Sequence, residues 1–136
     1  MTTKAPCTEK RGNISVLLVD DEEEFLASMV RVLTRRGFSV VTATGGEEAL
    51  NAVREHAVDV AVLDVKMPGL NGIDVLGRMK RISPNVEVIL LTGHASMDSA
   101  TTGMELGAFD YLSKPHDPEE LALKITAAAA RKRSNG

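Results

Sequence analysis

Five short apolar runs punctuate the chain: Ile14–Val19, Ser39–Ala43, Val60–Leu63, Val86–Leu91 and Phe109–Leu112. The third has no polar alternation and is bounded by Asp59 and Asp64, the pattern of a strand covered on both faces. Between the runs, apolar residues recur at helical spacing. Phe25, Met29, Val32 and Leu33 form the first such stripe, closed by Arg35-Arg36 and Gly37. Thr44 or Gly45 opens a second helix with Ala49, Leu50 and Val53 inward, ending near His56. Asn71 caps a third, with Asp74 three residues on and Ile73, Leu76, Met79 and Ile82 as its stripe, and Ser83-Pro84 ends it. Ser96 caps a fourth, with Met97, Ala100, Thr101 and Met104 on one side, both methionines read as core with a dimer or partner surface as the alternative, and Gly107 as the stop. Asp117-Pro118-Glu119-Glu120 starts the last: an acidic cap, proline at the first helical position and Glu120 at the capping-box position. Leu121, Ile125 and Ala128 face inward, and the helix is expected to fray into Arg131-Lys132-Arg133.

Strands alternating with amphipathic helices predict an α/β fold, a parallel sheet with helices on both faces. Right-handed crossovers then bring every strand's carboxyl end to one edge. The residues expected there are Asp20 and Asp21, Ala43, Asp64, Thr92 and Lys114. Open sheets bind ligands beyond that edge, where the strand order reverses. If the first and third strands are neighbours, Asp20, Asp21 and Asp64 share one pocket.

At 136 residues the chain is expected to hold one domain, residues 14–130, between a disordered segment 1–13 and a flexible tail 131–136. The net charge of −3 gives no basic field, so no direct nucleic-acid binding is expected. Arg131-Lys132-Arg133 reads as a solvated helix end. No apolar run approaches the ~20 residues of a membrane span. The single cysteine, Cys7, fits a reducing cytoplasm.

Three crowded carboxylates repel one another unless a cation offsets the charge. A hard divalent ion, Mg2+ above all, suits an all-oxygen cluster, whereas one cysteine and three scattered histidines offer no soft-metal spacing. Lys114 and Thr92 at the same edge add an ammonium and a hydroxyl, which together suit a phosphoryl group, with Asp64 as an in-line nucleophile forming an acyl phosphate. A P-loop is excluded by the lack of Gly-Lys-Ser/Thr, and a dinucleotide site by Asp20-Asp21-Glu22 where glycines belong. Gly45-Gly46 reads as a helix entrance.

Leu18-Val19-Asp20-Asp21, Leu63-Asp64-Val65-Lys66-Met67-Pro68-Gly69, Leu91-Thr92-Gly93-His94 and Tyr111-Leu112-Ser113-Lys114-Pro115, in this order and at these intervals, resemble the receiver domain of two-component response regulators. The resemblance spans roughly Ile14 to Ala130. It implies a doubly wound, flavodoxin-like (CheY-like) three-layer sandwich with strand order 2-1-3-4-5. It further implies that Asp64 accepts phosphoryl from a sensor histidine kinase or phosphotransfer protein. Mg2+ would be held by Asp21, Asp64 and the backbone carbonyl of Lys66, with Asp20 acting through water. Lys114 would bridge Asp64 and the phosphoryl group, and the bond to Pro115 would be cis. Thr92 and Tyr111 would form a switch altering the face made by the fourth helix, fifth strand and last helix, for a partner, an output domain or a homodimer. Catalysis would be confined to the domain's own phosphotransfer and autodephosphorylation. The rival is a phosphohydrolase with an aspartyl nucleophile, which needs an acid two residues after it, where this chain has Lys66.

Overall fold

The computed structural model describes residues 14–65, 72–92, 97–113 and 117–135. Strands β1 (Ser15–Val19), β2 (Ser39–Ala43), β3 (Val60–Asp64), β4 (Glu87–Thr92) and β5 (Asp110–Ser113) alternate with helices α1 (Glu23–Arg35), α2 (Gly46–Glu55), α3 (Gly72–Ile82), α4 (Met97–Glu105) and α5 (Pro118–Asn135). The sheet is parallel throughout, in the order β2-β1-β3-β4-β5. β1 and β3 are therefore neighbours, with Val19 opposite Leu63 at their carboxyl ends.

Alternate residues of the strands feed two cores, one on each face of the sheet. On one side Leu17, Ala61, Leu63, Val88 and Leu90 meet Ala49, Leu50 and Val53 of α2 and Val75, Leu76 and Met79 of α3. On the other, Val16, Leu18, Val60, Val62, Ile89 and Leu91 meet Leu26, Met29 and Leu33 of α1 and Leu121, Ile125 and Ala128 of α5. β3 and β4 are buried along their whole length, which explains why the β3 sequence carries no polar alternation.

The helix entrances follow from local chemistry. Asp117 Oδ1 accepts the Glu119 amide at 3.0 Å, the acidic cap expected from the sequence. Gly45 precedes α2 in extended conformation without a side-chain cap, and Glu48 supplies the missing acceptor, taking the Thr44 amide at 2.7 Å and its hydroxyl at 3.0 Å. Those bonds to the charged form hold the Glu48 carboxyl below its ordinary value of 4.5.

Three expectations are corrected. In α1, Leu26 takes the inward line with Met29 and Leu33, and Phe25 and Val32 are half-buried at its margins. In α4, Met104 is 40% exposed, and the inward position is Gly103. A Cβ on Gly103 would lie 2.2 Å from Leu90 Cδ1, so that helix packs close to β4 through a missing side chain, and the neighbouring residue is turned to solvent. The last helix does not fray at Arg131 but continues to Asn135. Arg131 lies over the Phe109 ring, 5.3 Å from its centroid, and pairs with buried Glu87 at 3.2 Å. Lys132 pairs with Asp59 at 3.3 Å, whose other oxygen accepts the Ser15 amide. The amino-terminal edge of the sheet therefore anchors the end of α5.

Candidate functional site

Buried strand β1 ends at Val19, and the next amide, of Asp20, donates to the carbonyl of Ala43 at the end of β2 (3.1 Å). That bond carries the sheet one residue past the strand and sets Asp20 over its edge. Asp20 is 1% exposed, and its Oδ1 accepts the Glu22 amide at 2.9 Å, turning the chain into α1. Asp21 stands exposed beside it. Asp64 closes β3 and is 6% exposed. The Val65 amide donates to Leu91 of β4 at 2.9 Å, and the Gly72 amide donates back to the Val65 carbonyl at 2.8 Å, so the chain is fastened on both sides just beyond the carboxylate.

The strand order brings the three acids together: one carboxylate oxygen each from Asp20, Asp21 and Asp64 lies within 4.8 Å of the others. Two of the three are buried and all donors are hard oxygens, so the cluster can hold a divalent cation. The three negative charges also exclude a phosphate ligand unless a cation accompanies it.

Thr92 ends β4, one residue past Leu91, the ladder partner of Asp64. It is fully buried, and its hydroxyl donates a long, 3.5 Å hydrogen bond to the Leu112 carbonyl of β5. Tyr111 is half-buried and packs against the core beneath α2 and α3, opposite Leu90 in the ladder. The pleat places Tyr111 and Thr92 on the same face of the sheet, two residues apart in register. Lys66, Lys114 and Pro115 lie outside the described residues, as do the Asn71 and Ser96 caps, His94 and His116. One residue of this site went unread in the sequence: Gly72, the first residue of α3, which is buried against the backbone of Asp64 and Val65. The available signal was a glycine directly after the expected Asn71 cap, at the start of the third helical stripe.

Comparison with known proteins decides the family. Residues 16–126 match the model of the response regulator receiver domain. The chain belongs to that family. This receiver domain is 40% identical over 119 residues to the transcriptional regulatory protein PrrA of Mycobacterium tuberculosis, covering 88% of the chain and 51% of PrrA. It is 36% identical to the alkaline phosphatase synthesis transcriptional regulatory protein PhoP of Bacillus subtilis, covering 88% of the chain and 50% of PhoP. The chain thus spans about half the length of these curated relatives. Among solved structures, a response regulator receiver domain protein from Clostridium thermocellum matches with a TM-score of 0.87 at 38% identity, over 90% of this chain and 99% of that one. The receiver domain of NtrX from Brucella abortus matches with a TM-score of 0.80 at 28% identity, over 85% of this chain and 98% of that one. The protein is therefore a signalling domain of two-component systems. The expectation of no direct nucleic-acid binding is withdrawn, because the relatives are transcriptional regulatory proteins. No described helix is long and apolar enough to cross a membrane.

Proposed function

We propose that this receiver domain accepts a phosphoryl group on Asp64 from a phosphohistidine of a sensor kinase or phosphotransfer protein, and thereby switches an output domain or partner. The observation that carries the reading is the convergence of Asp20, Asp21 and Asp64 at the carboxyl edge of the sheet in a chain of this family.

The donor set suits Mg2+, which Asp21 and Asp64 would hold, with Asp20 acting through water and, by the family resemblance, the backbone carbonyl of Lys66 as a further ligand. The hydrogen bond that Asp20 Oδ1 already accepts from Glu22 supports its indirect role. When bound, Mg2+ supplies positive charge against the phosphoryl oxygens. A lone pair on an Asp64 carboxylate oxygen attacks phosphorus in line; an oxygen–phosphorus bond forms, the phosphorus–nitrogen bond breaks, and its electron pair leaves on the imidazole. Lys114 would pair its ammonium with Asp64 and the incoming group, a role taken from the family resemblance, as is the cis bond to Pro115. Hydrolysis of the acyl phosphate by water returns the free carboxylate and inorganic phosphate.

Thr92 would turn its hydroxyl toward a phosphoryl oxygen, giving up the long bond to Leu112, and Tyr111 would move inward behind it. The face of α4, β5 and α5 then changes, and the output partner or a second copy reads it. Phosphoryl transfer from a sensor kinase accords with a cytoplasmic location for the domain.

Incubation with Mg2+ and acetyl phosphate tests the reading. One hydroxylamine-labile adduct per chain, absent when Mg2+ is chelated, is expected. Steady phosphate release from unrelated phosphoesters would support the phosphohydrolase rival instead.

A further inference from the structure

We propose that Gly72 is a positioning residue for Asp64: its missing side chain lets the first turn of α3 bear directly on the Asp64–Val65 backbone and hold the carboxylate in place. This deepens the reading of Asp64 as phosphoryl acceptor and rests on it.

A Cβ built on Gly72 would lie 2.5 Å from the Asp64 carbonyl oxygen, 2.7 Å from Val65 Cα and 3.1 Å from the Asp64 carbonyl carbon. All three are backbone atoms, so no flexible side chain can swing aside. Among the described residues the glycines with positive φ are Gly37 and Gly107, and Gly72 is not one of them. Space, and not backbone freedom, reserves the position for glycine.

Neither side of the contact can yield cheaply. β3 is laddered to β1 and β4 along its length, and the Val65 peptide bonds to Leu91 on one side and to Gly72 on the other. α3 is pinned by Val75, Leu76 and Met79, all fully buried. Ordinary van der Waals separation would require a displacement of roughly 1 Å. It would fall on the peptide that carries the nucleophile, one bond from its Cα. A misplacement of that size can cost about a hundredfold in rate. Gly77, in the same helix, has nothing within 4 Å of a Cβ and supplies the control.

The test compares wild type, Gly72→Ala and Gly77→Ala in acetyl phosphate uptake, Mg2+ affinity of the unphosphorylated protein by amide NMR, and urea stability. Gly72→Ala is expected to lose about tenfold to a hundredfold in uptake rate and to bind Mg2+ more weakly while still folded, with Gly77→Ala matching wild type. Wild-type uptake and Mg2+ affinity in folded Gly72→Ala, or a loss only in proportion to its unfolded fraction, would overturn the proposal. Should that variant not fold, the wild-type protein decides. Its Val65 and Gly72 amide signals are expected to move on Mg2+ binding while Gly77 stays still, and stillness at both refutes the role. A wild type that takes up no phosphoryl group would sink the reading of Asp64, leaving the Mg2+ arms to judge Gly72.

Discussion

Asp20 and Asp64 are buried while Asp21 is exposed, and this difference assigns the three acids different costs. Asp21→Asn touches no buried contact, so stability should stay within about 0.5 kcal/mol of wild type. Mg2+ affinity should nevertheless fall by about tenfold with the loss of one anionic ligand, the weight of roughly 1.4 kcal/mol. Isothermal titration and urea melts on the same samples separate the two effects. Thr92 divides differently. Among the described residues its hydroxyl makes a single, long 3.5 Å bond, so Thr92→Ala should cost about 1 kcal/mol or less and leave acetyl phosphate uptake largely intact. Its phosphorylated form should bind the output partner no better than the unphosphorylated form. Equal partner affinity before and after phosphorylation in the wild type would refute the switch itself. The acids and Thr92 were legible in the sequence because each ends or follows an apolar run. Gly72 and Gly103 were not: a glycine that matters for the space it leaves carries no hydropathy signal, and its role exists only when two elements meet.

Among the elements, α5 departs most from its sequence reading. Its last turns carry Arg131 and Lys132, which look like solvated charges along the chain but meet Glu87 and Asp59 at the amino-terminal edge of the sheet. Glu87 is the informative partner. It is buried, and among the described residues its Oε1 has no hydrogen-bond partner, so removing Arg131 leaves a carboxylate poorly compensated. Arg131 is itself half exposed, which weakens the pair by solvent screening. Arg131→Ala is therefore expected to cost about 1–2 kcal/mol in urea unfolding, including the lost contact with Phe109. A double variant that also carries Glu87→Leu should recover part of that loss. The β2–α2 corner gives a pH-dependent case. Glu48, held below 4.5 by Thr44, contributes stability that is present above its unfolded value and lost as the pH falls through its lower folded one. Glu48→Gln should thus be less stable than wild type near neutrality, and the difference should shrink in strong acid, read as urea midpoints at the two pH values. No periodicity argument finds the two α5 ion pairs, because the partners lie on elements distant in sequence: Asp59 and Glu87 are 73 and 44 residues from Lys132 and Arg131.

At the scale of the whole molecule, the alternation of apolar runs and amphipathic helices sufficed for a parallel sheet with covered faces. The strand order came from the family motifs, and the structure bears it out. That order makes β1 and β3 neighbours and brings Asp20 and Asp21 to Asp64. The chemistry proposed for the domain reduces to one atom of one residue accepting phosphorus. The most direct measurement is the intact mass of wild type and Asp64→Asn after parallel incubation with acetyl phosphate and Mg2+. The wild type should gain the mass of a single phosphoryl group and lose it to hydroxylamine, while the variant gains nothing. A variant that gains the same hydroxylamine-labile mass would contradict the account.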